Sequence, residues 1–233
     1  MVVGNAGAIE YQNRILETVP FYSGHPYLVP FVGANYDNSA KHRKLLLVGE
    51  SHYMEKEVTV HRDVEGWYDY PPTEEHFNST WCTPQITCKD PHTGVFRQTI
   101  TRELSKILVN LSDDKVWDEV AFLNYFLRPS DECGKALSPK PRDREEAIKV
   151  FAKNTEILLP DVIVFVGVNA YKAADACEMF REARGEHKIR CTCVYNPSYG
   201  WWNRPMSRQY DDAKGKTAGA HFCDYLKEHW LIR

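Results

Sequence analysis

An α/β fold, with helices on both faces of a mainly parallel sheet, is what this sequence predicts, and three observations predict it. Apolar runs ending in Gly or Asn recur along the chain, stretches of helical period lie between them, and the residues after the runs are mostly polar. A run without alternation belongs to a strand buried on both faces, as in a parallel sheet covered by helices.

The first run is KLLLVG, Lys44–Gly49. VAFLN (Val120–Asn124) and DVIVFVG (Asp161–Gly167) repeat it, and IRCTCVY (Ile189–Tyr195) is a weaker fourth. Helical spacing joins Leu104, Ile107, Leu108 and Leu111, then Ala147, Val150 and Phe151, then Ala170, Ala173, Ala174, Cys177 and Phe180. Strands alternating with helices predict right-handed crossovers and a three-layer α/β/α arrangement. A closing helix over 218–230 turns Phe222, Tyr225 and Leu226 inward. The chain, 1–233, is expected to be a single domain. Residues 54–94 are the exception: they hold a Pro-Pro pair, several aromatics, Cys82 and Cys88, but no sustained period. So long an irregular segment in a compact domain is usually functional, and it is expected to cover the site.

Composition limits the function classes. With 43% hydrophobic and 26% charged residues the chain is globular, and its formal charge of −3 argues against a broad basic surface for non-specific nucleic-acid binding. A local basic rim is still compatible with that charge. The apolar runs are too short to span a bilayer and the first residues do not resemble a signal peptide, so the expected location is cytoplasmic, without a membrane partner. Seven cysteines, an odd number, fit reduced thiols, and Cys177, Cys191 and Cys193 read as core positions. No C-x-x-C or comparable Cys/His spacing suggests a metal site.

In open α/β sheets ligands bind outside the carboxyl ends of the strands. Gly49-Glu50-Ser51-His52-Tyr53 follows the first strand, Asn124-Tyr125-Phe126 closes the second, and Asn196-Pro197-Ser198-Tyr199-Gly200-Trp201-Trp202 follows the weak fourth. The third runs through Gly167 into its helix at Asn169.

In this order, these residues resemble the uracil-DNA glycosylase superfamily. Its Gly-led first motif reads G-Q-D-P-Y, G-E-A-P-G or G-x-N-P-G in different branches, and LLVGESHY (Leu46–Tyr53) is closest to the second form. FLNYFLRP (Phe122–Pro129) is similar to the Asn-closed strand followed by Arg-Pro in the iron–sulfur branch. Asn196-Pro197-Ser198 is similar to the second motif, H-P-S or N-P-S. The resemblance spans about Leu45 to Ser198. Ser51 stands where some branches carry a water-directing Asp or Asn, and His52 replaces the following Pro. The iron–sulfur cysteines have no counterpart, so no cluster and no other cofactor is expected.

The resemblance implies hydrolysis of an N-glycosidic bond on a base flipped out of the stack of DNA. As the bond breaks the sugar gains oxocarbenium character, which a carboxylate stabilises while orienting water; Glu50 is the candidate. The leaving base gains negative charge on its carbonyl oxygen, and the family analogy gives the donor role there to Asn196. Asn124 has the donor and acceptor needed to read an imide edge. Ser51 and His52 complete the candidate catalytic set, while Gly49, Tyr53, Phe126, Ser198 and Tyr199 are candidate substrate-binding positions. The stacking aromatic is open among Trp67, Tyr68, Trp81 and Phe126. Trp201, Trp202, Arg204 and Arg208 form a candidate nucleic-acid rim with a wedge, with Lys214 and Lys216 beyond and Asp211 and Asp212 diluting it.

Each residue also has an ordinary structural role. Glu50 or Ser51 can cap the next helix, Asn124 and Asn196 can be turn residues, His52 can be a packed loop histidine, and the Trp pair can anchor core. At the level of the chain, the alternatives to a monomeric DNA glycosylase are an enzyme acting on a nucleoside, nucleotide or RNA, and a binding module without turnover.

Overall fold

The computed structural model describes residues 6–37, 40–52, 63–70, 83–90, 94–132, 135–186, 188–198, 200–207 and 213–232. Its five strands are β1 (Phe31–Val32), β2 (Leu45–Gly49), β3 (Ala121–Asn124), β4 (Val162–Phe165) and β5 (Arg190–Cys193), joined in the order β1-β3-β2-β4-β5. β3, β2, β4 and β5 are parallel, whereas β1 runs antiparallel at the edge. The four apolar runs thus become the parallel strands, with β2 and β4 buried along their whole length.

Side-chain alternation sorts these strands between two cores. Leu46, Val48, Ala121, Leu123, Ile163 and Phe165 point to one face. There they meet α1 (Ala6–Thr18), α2 (Phe21–Gly24), α6 (Pro141–Leu158), α7 (Val168–Asp175) and α8 (Glu178–Glu186) through Ile15, Tyr22, Phe151, Ala170 and Phe180. Leu45, Leu47, Phe122, Val162 and Val164 point to the other, against Ile100 and Leu104 of α5 (Val95–Ile107) and Phe222 and Leu226 of α9 (Ala218–His229). Helices on both faces of a five-stranded, mostly parallel sheet give the three layers expected from the sequence.

Local chemistry sets the helix ends. Pro141 opens α6 at a position whose N–H has no partner in any case, and Asp143 reaches back to the Lys140 N–H at 2.8 Å. Leu159, in the left-handed region at φ 48°, ends the helix before Pro160. Thr217 caps α9 by accepting from the Ala220 N–H at 3.2 Å, and Thr192 of β5 bonds His221 of α9 at 2.9 Å.

Three expectations are corrected. The stripe from Ala170 to Phe180 is two helices, because the Cys177 N–H bonds Ala174 at i−3 and breaks the α ladder. The 54–94 segment contains α3 (Val64–Asp69), capped by Asp63, and α4 (Pro84–Lys89), capped by Thr83. These helices are too short for sequence periodicity to reveal; residues 53–62, 71–82 and 91–93 lie outside the described residues. Finally, α5 stops at Ile107, so Leu108 and Leu111 pack from the turn beyond it.

His25, between α2 and α3, links the fold to acidity. Its ring nitrogens lie 3.3 Å from the Phe21 carbonyl and 3.2 Å from the Trp67 carbonyl, and its ring stacks on Phe21. Burial pushes the imidazole below the usual histidine range, outweighing the two carbonyls that pull it up. The unfolded chain takes up a proton near pH 6.5 that the folded chain accepts only at lower pH. This stability is therefore full above about pH 6.5 and is lost as the pH falls. Thermal unfolding midpoints should decline between about pH 7.5 and 5, and decline less in His25→Gln.

Candidate functional site

The site sits at the carboxyl ends of the parallel strands, where Gly49 and Asn124 are register partners on β2 and β3. The chain stays zipped beyond them. Tyr125 N–H bonds the Gly49 carbonyl and Phe126 N–H the Glu50 carbonyl, both at 2.9 Å, and His52 bridges to Pro129. This pairing fixes the backbone of Glu50, Ser51 and His52 at the sheet's edge.

Asn124 lies across β2: a Cβ on Gly49 would collide with its Oδ1, so the side chain occupies the space that Gly49 leaves open. Its Nδ2 donates to His52 Nδ1 at 3.2 Å, which requires the proton of a neutral ring to be on Nε2. His52 is buried, so here a packed histidine also orients a candidate base-reading amide.

Glu50 leans the other way, over the end of β4. A Cβ on Gly167 would stand 2.9 Å from both Cβ and Oε2 of Glu50. Asn169 Nδ2 donates to Glu50 Oε1 at 2.9 Å. Among the described helices Glu50 caps none, and the next of them, α3, is capped by Asp63 accepting from the Gly66 N–H at 2.7 Å. Oε2 bears no hydrogen bond from a described residue, which leaves one oxygen to face a ligand or water. Asn169 is the partner that sequence reasoning passed over. The strand-end rule applied to β4 pointed to it, but only the β2–β4 adjacency joins it to Glu50.

Gly167 gives this arrangement a test. In Gly167→Ala the new methyl meets the Cβ of Glu50, which cannot swing aside as a side-chain end would. The carboxylate must shift, and with Glu50 read as the candidate catalytic carboxylate a displacement of that kind is expected to cost about tenfold to a hundredfold in turnover. Single-turnover rates and thermal unfolding of the variant should show a loss of rate far exceeding the loss of stability.

Beyond β5 the side chain of Asn196 makes the turn expected of an Asn before Pro, its Oδ1 accepting from the Ser198 N–H at 2.9 Å. This bond uses the carbonyl end and leaves Nδ2 as the free donor, with no acceptor for it among the described residues. Trp201 is 54% exposed, with the Arg204 guanidinium 4.7 Å above its ring and Tyr195 edge-on at 6.2 Å. Trp202 turns inward instead. It is 2% exposed, packs on Phe222 and fills the space beside Gly219, so it belongs to the core and not to the rim. Lys216 is paired with Asp224 at 2.7 Å.

The stacking candidates are also corrected. Phe126 is buried edge-on to Tyr125, and Trp67 is wholly buried. Tyr68 donates to Asp143 at 3.1 Å beneath the Arg142 guanidinium. Tyr53, Trp81, Tyr199, Arg208, Asp211 and Asp212 lie outside the described residues. Among the described residues, no group of three or more His, Cys, Asp or Glu could hold a metal, and no helix is long and apolar enough to cross a membrane. The five described cysteines are free thiols, with Cys193 buried and Cys177 and Cys191 half-buried.

No family model and no curated protein matches this chain.

Proposed function

We propose that this chain hydrolyses the N-glycosidic bond of a deaminated or damaged, uracil-like base displayed outside the stack of DNA. The observation that carries the proposal is Glu50, a carboxylate held at the centre of the sheet's carboxyl edge. It has the Asn124 amide on the neighbouring strand and Asn169 on the other side, with Asn196 one strand further on. A carboxylate between neutral amides suits a transition state that is positive on the sugar and negative on the leaving base. Glu50 orients water and balances the oxocarbenium charge. Asn124 offers Oδ1 and its remaining amide proton to the base edge, and the free Nδ2 of Asn196 donates to the base carbonyl oxygen. The order of these residues is that of the uracil-DNA glycosylase motifs, which supports the same reading. No cofactor takes part in these steps.

The net charge of −3 favours a second reading, in which the same chemistry acts on a free nucleoside or nucleotide or on RNA. One experiment separates the two. The protein is incubated with single-stranded and duplex oligonucleotides carrying uracil, hypoxanthine or xanthine, and with the corresponding nucleosides, and released base is measured by chromatography. Release from DNA oligonucleotides, weakened by added salt, supports the proposal; release from nucleosides alone favours the second reading. Release from neither, with retained affinity for base or DNA, identifies a binding module without turnover and overturns both.

A further inference from the structure

α5, together with Asp113 in the turn beyond it, lines a groove of about 470 Å³. Arg97 forms part of its lining and is 5% exposed, yet its Nε is sealed from water and meets no acceptor among the described residues. Asp114 feels the charge of Arg97 only through space. The other cations of the groove are differently placed: Arg102 and Lys106 are more than half exposed and pair with Glu103 at 3.0 and 2.6 Å. Thr101 accepts from Trp117 Nε1 at 2.8 Å, which leaves its own hydroxyl proton to donate. Gln98 adds an exposed amide beside Arg97.

A guanidinium Nε buried without an acceptor is costly, and a groove lined by the same side chain gives an anion a way to the guanidinium. We propose that this groove binds a terminal phosphoryl group, with the Arg97 fork on its inner oxygens and Thr101, Gln98 and Arg102 on the outer ones. Donors from two successive turns of one helix surround a tetrahedral oxyanion better than a planar carboxylate. A terminal phosphoryl group reaches a side chain that is only 5% exposed more readily than a phosphodiester within a continuous backbone does. The ligand is therefore inorganic phosphate, a nucleoside monophosphate or the phosphorylated end of an oligonucleotide. This site is independent of the glycosidic reading.

The test is thermal unfolding and calorimetric titration of the whole chain with inorganic phosphate, a nucleoside monophosphate, and oligonucleotides ending in 5′-phosphate or 5′-hydroxyl, at matched ionic strength. At about a hundred times the dissociation constant, the phosphoryl ligand should raise the unfolding midpoint by roughly 5–10 °C. The 5′-hydroxyl oligonucleotide should not, and the tightest of the phosphoryl ligands identifies the source. Arg97→Met should unfold at the same or a higher temperature than wild type without ligand, and should lose the response. Arg102→Ala, an exposed change, should weaken binding without unfolding the protein. The proposal is overturned if wild type fails to respond, if the 5′-hydroxyl oligonucleotide responds equally, if Arg97→Met retains the response, or if Arg97→Met is destabilised without ligand, because the guanidinium is then paired within the chain. Base release plays no part in these readouts, so failure here is distinct from failure of the glycosidic reading.

Discussion

Asp143→Ala is expected to cost about 3–5 kcal/mol of folding stability, enough to lower the unfolding midpoint of a chain this size by roughly 6–20 °C. Asp143 and Arg128 are each wholly buried and joined by two hydrogen bonds, Nε to Oδ1 at 2.6 Å and Nη2 to Oδ2 at 2.9 Å. Asp143 also accepts from the Lys140 N–H and the Tyr68 hydroxyl, so removing it takes two hydrogen bonds from a buried guanidinium and the acceptor from a helix cap and a phenol together. Arg128 keeps Asp131 and the Pro129 carbonyl as acceptors, at the rim of the same network. The damage should reach the site, because Pro129 is the residue to which His52 bridges and His52 orients Asn124. The exposed pair of Arg142 and Asp69 is the control: Asp69→Asn should unfold with wild type, since an ion pair in water is weakly stabilising. Thermal or denaturant unfolding of the two variants checks both statements.

Glu50→Gln is expected to lower base release by at least about a hundredfold while leaving the unfolding midpoint close to that of wild type. The amide fills the same space over Gly167 and still offers an oxygen to Asn169, so packing and the hydrogen bond survive. What is lost, on the proposed mechanism, is the negative charge beneath the developing oxocarbenium ion and the group that orients water. Both act in the transition state, so the loss should fall on kcat and leave substrate affinity nearly unchanged. A parallel loss of affinity, or an unfolding midpoint well below wild type, would instead make Glu50 a structural residue.

The parallel strands were legible because both faces of β2 and β4 are buried, which makes their sequences continuous apolar runs. β1 left no such trace: two residues, Phe31–Val32, are too few to show any period. α1 left a weak trace for a related reason, since Ile15 is its one fully buried residue and the others packed on the same core, Ala8 and Tyr11, are a small side chain and a polar-tipped one. At the site, the strand-end rule picks out Gly49, Glu50, Asn124 and Asn196, all of which come to the sheet's carboxyl edge. It does not reveal Asn169 as the partner of Glu50, because strand order is a tertiary fact. Nor does sequence distinguish Trp201 from Trp202. The neighbouring rings look alike until the missing side chain of Gly219 provides a slot for one of them. The Arg-Pro of the second segment reads as a motif in sequence, and its Arg proves to be the buried partner of Asp143.

The central claim is that Glu50 drives hydrolysis of an N-glycosidic bond at this edge. It is tested most directly by counting abasic sites in an end-labelled oligonucleotide with a single uracil, hypoxanthine or xanthine, under single turnover, with wild type and Glu50→Gln side by side. The account predicts strand breakage by alkali at the lesion with wild type for at least one base, falling by about a hundredfold or more in the variant. Equal breakage by the two proteins, or none by wild type with any of the three bases, would contradict it.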